Sequence, residues 1–133
     1  MEKIILFEDD DKNVRETMLM FLDMRFPSYG VESFKEGTSL EERLKQGSLE
    51  NVCMVITDNQ MPGIEGSEII RIYASKFPEI PFILYYGGDE EIGEEAVRNR
   101  ACAYVLKPIA LKKFYPIIRD ALSKREGVIE EHS

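Results

Sequence analysis

Apolar residues along the chain fall into short unbroken runs, with helix-spaced stripes between them. Ile4-Ile5-Leu6-Phe7, Val52-Cys53-Met54-Val55-Ile56 and Phe82-Ile83-Leu84-Tyr85-Tyr86 show no polar alternation. Runs of this length read as strands buried on both faces. Val31-Glu32-Ser33-Phe34 and Ala103-Tyr104-Val105-Leu106 read as two further strands. After the first run, Val14, Met18, Phe21 and Leu22 fall on one helix face, which Pro27 and Gly30 end. Met18, Met20 and Met24 share that helical spacing and read as core or edge filler. Thr38 is placed to cap a second helix carrying Leu40 and Leu44, with Glu41 and Glu42 in its first turn and Gly47 past its end. Ser67 is placed to cap a third, with Ile69, Ile70 and Tyr73 inward and Pro78 beyond. Asp89 opens a fourth through Ile92, Ala96 and Val97. Leu111, Phe114, Ile118 and Leu122 make a fifth, which Pro116 should bend or delay.

Strand and helix thus alternate five times, with no repeat or linker between them. The pattern predicts an α/β fold with a five-stranded parallel sheet and helices on both faces. Right-handed crossovers leave few topologies, and a flavodoxin-like (βα)5 arrangement with strand order 2-1-3-4-5 is the common one. Its ligand crevice lies at the carboxyl ends of the strands, where the first and third meet. The expected organisation is one domain over residues 1–125, a polar tail over 126–133, and no output domain.

Composition narrows the function. The chain has 133 residues, with 17 Lys and Arg against 25 Asp and Glu, a formal charge of −8. That balance argues against binding nucleic acid or an anionic membrane surface, and suits metal cations or basic partners. No apolar stretch approaches the ~20 residues of a membrane span, and Met1 to Lys3 lead into a run too short for a signal peptide. Cys53 and Cys102 therefore read as buried free thiols in a reducing cytoplasm. A single histidine, His132, argues against a His-based triad or a zinc site.

The chemistry lies at the predicted strand ends. Glu8, Asp9, Asp10 and Asp11 follow the first strand, and Asp58 follows the third. Gly87 and Gly88 follow the fourth, and Lys107 the fifth. Carboxylates gathered this closely repel one another. A hard divalent cation with oxygen ligands, Mg²⁺, relieves the repulsion. A lysine ammonium suits a phosphate oxygen, and a carboxylate beside it can attack a phosphoryl group. The glycines leave room for that group. A plainer reading has one of Asp9, Asp10 and Asp11 capping the first helix, but a cap needs one carboxylate and three are present. Asp58 could likewise start a turn before Met61-Pro62. Tyr85, Tyr86 and Tyr104 fit ordinary strand packing, and alternation puts Tyr85 and Tyr86 on opposite sheet faces.

At these residues the chain resembles the receiver domains of two-component response regulators. The resemblance rests on the acidic cluster, on Asp58 followed by Met61-Pro62-Gly63-Ile64-Glu65-Gly66, and on Tyr104-Val105-Leu106-Lys107-Pro108. It spans Lys3 to about Lys124. It implies that Asp58 is the phosphoacceptor in a histidine-to-aspartate phosphorelay. It implies that Asp9, Asp10, Asp58 and the Gln60 backbone carbonyl hold Mg²⁺, and that Lys107 contacts the phosphoryl group. Helix spacing from Val14 and Arg15 selects Asp9 and Asp10 as the acidic pair; a strand ending one residue earlier selects Glu8 and Asp9. The Lys107-Pro108 bond is of the kind that is cis in this family. Implied partners are a sensor histidine kinase or phosphotransfer protein and a downstream target on the face of the fourth helix, fifth strand and fifth helix, where a homodimer could also form. Any enzymatic activity is at most autocatalytic phosphotransfer to Asp58 and slow self-dephosphorylation.

One position departs from the family. Receivers usually carry Thr or Ser at the end of the fourth strand, coupled to an aromatic on the fifth, here Tyr104. This chain has Tyr86 there, followed by Gly87 and Gly88. The alternative function is therefore a receiver-like interaction module whose output is independent of phosphorylation.

Overall fold

The computed structural model describes residues 2–46, 48–59, 63–108 and 110–125. Five strands, β1 (Lys3–Glu8), β2 (Tyr29–Phe34), β3 (Val52–Thr57), β4 (Phe82–Tyr86) and β5 (Ala103–Leu106), pair in parallel in the order β2-β1-β3-β4-β5. The expected topology is the observed one. The helices are α1 (Lys12–Arg25), α2 (Gly37–Lys45), α3 (Gly66–Tyr73), α4 (Glu90–Arg98) and α5 (Leu111–Arg125).

Strand alternation divides the core into two layers. Ile4, Leu6, Val55, Leu84 and Tyr86 pack with residues of α2, α3 and α4 on one face. Ile5, Phe7, Met54, Ile56 and Tyr85 pack with residues of α1 and α5 on the other. β3 and β4 are buried along their whole length, which is why their sequences lack polar alternation.

Several local expectations are corrected. α2 begins at Gly37 with Glu36 at its N-cap, so Thr38 lies inside the helix. α3 begins at Gly66 after Glu65, so Ser67 is not its cap. Asn59 serves those first amides instead: its carbonyl accepts from Gly66 N at 3.2 Å and its side-chain Oδ1 from Ser67 N at 2.9 Å. Pro116 does not delay α5, which starts at Leu111 and carries the proline inside it. Met20 and Met24 are exposed on α1 rather than filling core, while Met18 is buried. Cys53 is buried, but Cys102 is exposed in the bend before β5. Gly47, which the sequence places past the end of α2, and the tail 126–133 lie outside the described residues.

Candidate functional site

β1 and β3 are neighbours, so their carboxyl ends bring Glu8-Asp9 beside Thr57-Asp58; Asp58 N donates to the Glu8 carbonyl at 3.1 Å. Asp11 then caps α1, its carboxylate accepting from Asn13 N at 2.8 Å and Val14 N at 3.2 Å. Capping thus uses Asp11 and leaves Asp9 and Asp10 for other work. Asp9 is fully buried and accepts from Asp11 N at 2.9 Å, while its carbonyl accepts from Arg15 Nη1 at 2.8 Å. Asp10 is exposed.

Asp58 is held from below by its own loop. Asn59 N donates to its Oδ1 at 2.7 Å, leaving Oδ2 directed at Lys107. Thr57 Oγ1 donates to the Asp58 carbonyl at 2.9 Å. α3 starts so close that a Cβ at Gly66 would stand 1.9 Å from that carbonyl. Glycine is needed at 66 for this approach, a requirement its place in the loop sequence did not by itself disclose.

Lys107 closes the site from β5. Its Nζ lies 2.6 Å from Asp9 Oδ2 and 3.2 Å from Asp58 Oδ2, bridging the two acidic strand ends. The Lys107-Pro108 bond is cis. Burial would lower the ammonium's pKa, but its bonds to Asp9 and Asp58 outweigh this and raise it above the ordinary lysine value. Burial raises Asp58, opposed by Lys107 and the Asn59 amide and assisted by Asp9. The cluster therefore favours cation binding: one ammonium faces several carboxylates.

Oxygen atoms of Asp9, Asp10 and Asp58 lie within 4.8 Å of one another. An all-carboxylate donor set of this size fits a hard divalent cation such as Mg²⁺. This grouping contains Asp9 and Asp10 and does not contain Glu8. Gln60, whose carbonyl the resemblance adds to the donor set, lies outside the described residues, as do Met61 and Pro62.

Glu8 does something the sequence did not indicate. Its side chain faces the α2–α3 layer, fully buried, 3.4 Å from Thr57 Oγ1. Among the described residues its Oε2 has no hydrogen-bond partner. Burial, then Asp58 and Asp9, push its carboxyl up to about 8.

The tyrosines separate as alternation requires. Tyr86 turns into the core below α4, with its hydroxyl accepting from Gly93 N at 3.0 Å. It does not crowd Asp58. Tyr104 packs on the same layer, against Gly93. Tyr85 faces α5, and Lys107 Nζ sits 5.0 Å from the centre of its ring. Gly87 is exposed at the rim, and a Cβ there would stand 3.5 Å from Lys107 Cβ. Gly88 is exposed beside the Tyr86 ring. Positions 87 and 88 thus bring no side chain to the rim beside Lys107.

The sequence profile described as response regulator receiver domain matches residues 5–119. The C4-dicarboxylate transport transcriptional regulatory protein DctD of Rhizobium meliloti (strain 1021) is 32% identical over 126 residues, covering 94% of this chain and 26% of that protein. The response regulator protein FleR of Pseudomonas aeruginosa is 28% identical, covering 96% of this chain and 26% of its own. The chain spans about a quarter of the length of these curated relatives. Among solved structures, a CheY-like receiver domain protein from Methanospirillum hungatei JF-1 superposes with a TM-score of 0.83 at 23% identity, over 96% of this chain and 98% of that one. The BeF3-activated DrrB receiver domain superposes with a TM-score of 0.76 at 27% identity, over 92% and 99%.

Proposed function

Because the chain belongs to the response regulator receiver domain family of two-component signalling, we propose that Asp58 is its phosphoacceptor and that phosphorylation there alters partner binding. The observation that carries this reading is the single ammonium of Lys107 held between Asp9 and Asp58 at the sheet's carboxyl end. In the reaction, Asp58 Oδ2 attacks phosphorus of a donor phosphohistidine. An O–P bond forms as the donor's N–P bond breaks, and the electron pair returns to the imidazole. Lys107 leaves its carboxylate partners to neutralise charge on the transferred oxygens. The Asn59 amide fixes the other carboxylate oxygen and so orients the attack. Asp9, Asp10 and Asp58 would hold Mg²⁺, which when bound supplies further charge neutralisation at the phosphoryl group. The open rim at Gly87 and Gly88 admits the phosphoryl group and its donor.

Receivers of this family exchange signals with histidine kinases and downstream effectors. For this chain we assign a kinase or phosphotransfer protein as donor and the α4–β5–α5 face as one docking surface, with residues 1–125 acting as the unit. The test is phosphoryl labelling by a small phosphodonor in Mg²⁺. Labelling of the parent chain and none of Asp58→Asn supports the assignment; equal labelling of both overturns it.

A second reading is favoured by one observation. Tyr86 stands where the family has Thr or Ser, and its hydroxyl is bonded to Gly93 rather than turned to Asp58. That supports an interaction module whose output ignores phosphorylation. Equal partner binding or self-association by free and phosphorylated chains would establish it over the first reading.

A further inference from the structure

Helix α4 starts differently from the other helices. In α1, α2 and α3 the fourth helical amide donates to the carbonyl of the capping residue: Arg15 N to Asp11 O, Leu40 N to Glu36 O, Ile69 N to Glu65 O. In α4 the equivalent amide is Gly93 N, and it donates to the Tyr86 hydroxyl at 3.0 Å. The Asp89 carbonyl accepts from Ile92 N instead, at 3.1 Å. A side chain of β4 has thus been built into the first turn of α4. The Tyr86 ring is 2% exposed and fills the space beneath that turn. Tyr104 is seated from the β5 side: a Cβ at Gly93 would stand 2.3 Å from its ring. Both tyrosines on this sheet face converge on one glycine, one through its amide and one through its missing side chain.

The opposite face is connected to Asp58 directly. Lys107 Nζ touches Asp58 and Asp9 and lies over the Tyr85 ring. The Tyr85 ring packs on Phe114 of α5, with ring centres 5.0 Å apart. Its outer edge lines a cavity with Asn13, Val14, Thr17 and Met18 of α1 and Leu111 of α5. Lys107 is the side chain that touches both Asp58 and the Tyr85 ring, so a change at Asp58 reaches the ring through it. In the free chain its head is shared between Asp9, Asp58 and the ring. A phosphoryl group on Asp58 adds anionic oxygens that compete for the same ammonium.

We propose that Tyr86 pins α4 to β4, and that occupancy of Asp58 is transmitted through Lys107 and Tyr85 to α5 and α1. This rests on Asp58 being the phosphoacceptor. Its consequence is that the α4 part of the α4–β5–α5 face presents the same surface in both states, and the phosphorylation-dependent part of partner binding falls on α5 and the neighbouring α1.

The experiment uses the whole chain labelled with 3-fluorotyrosine, whose six tyrosine signals are assigned with single Tyr→Phe variants. Fluorine spectra are recorded before and after Mg²⁺ with beryllofluoride. A shift at Tyr85 with Tyr86 and Tyr104 unmoved is the expected result. A still Tyr85, or shifts at Tyr86 or Tyr104 as large as that at Tyr85, overturns the proposal. Bound beryllofluoride has its own fluorine signal. Its absence counts against Asp58 as phosphoacceptor, and against any transmission from it. The pinning is tested separately by amide exchange: Tyr86→Phe removes the acceptor and should speed exchange at Gly93 by about fivefold or more. Unchanged exchange at Gly93 in that variant overturns the pinning even where beryllofluoride binds.

Discussion

Glu8 is fully buried, and burial together with Asp58 and Asp9 holds its carboxyl near 8 against an ordinary 4.5. A carboxyl whose pKa is raised by folding binds its proton more tightly in the folded chain. Its stabilising contribution is complete below about pH 4.5 and disappears as pH rises through about 8. Glu8→Gln keeps the shape and removes the titration. Urea melts in chelator should therefore show the variant gaining on the parent chain from pH 5 to 8, by about 1 kcal/mol or more at the alkaline end. A parent chain whose stability has no such slope relative to the variant contradicts this. Gly66 makes a second residue-scale prediction. Gly66→Ala places a methyl 1.9 Å from the Asp58 carbonyl, so α3 must shift. The expected loss is about 1–3 kcal/mol in denaturant melts, with slower labelling at Asp58. Neither feature was readable from the sequence. Glu8 stood in a run of four acidic residues, and only the pleat of β1 decides which of them turns inward. Gly66 looked like one more loop glycine until α3 was seen against the Asp58 backbone.

At the scale of elements, the apolar runs and helix stripes were enough to place all five strands and all five helices. Unbroken Val, Ile, Leu and Met runs have few alternatives to a doubly covered strand. Helix starts were less legible, because Ser and Thr are good caps only when the turn before them leaves the amides free. Asn59 already serves the first amides of α3, so Ser67 had nothing to cap. Asp11 shows the opposite case, with both of its side-chain bonds made. Asp11→Ala should destabilise the chain by about 1 kcal/mol in thermal or urea melts, and no change would mean the cap is dispensable. The side-chain alternation of β4 correctly separated Tyr85 from Tyr86. It could not say that the Tyr86 hydroxyl would complete the first turn of α4, since that depends on the distance between strand and helix.

Over the whole molecule, five parallel strands deliver residues remote in sequence to one rim. Asp9, Asp58 and Lys107 meet because β1, β3 and the end of β5 share a carboxyl edge. This was legible in the sequence because polar residues at the ends of buried strands have few other places to go. The acidic rim leads to a global prediction. Mg²⁺ should raise the thermal midpoint, since a ligand of the folded state alone stabilises by about 2.7 kcal/mol at a hundred times its dissociation constant. Asp10 is exposed, so Asp10→Asn should leave the metal-free midpoint nearly unchanged and weaken the Mg²⁺ response. An undiminished response would remove Asp10 from the donor set. The central claim, that Asp58 forms an acyl phosphate, is tested most directly by chemical trapping. The chain is incubated with Mg²⁺ and a phosphodonor, reduced with borohydride, and mapped by peptide mass. Reduction of an aspartyl phosphate releases phosphate and leaves homoserine, which should appear at position 58. Homoserine at another aspartate, or a labelled chain with Asp58 unaltered, would contradict the account.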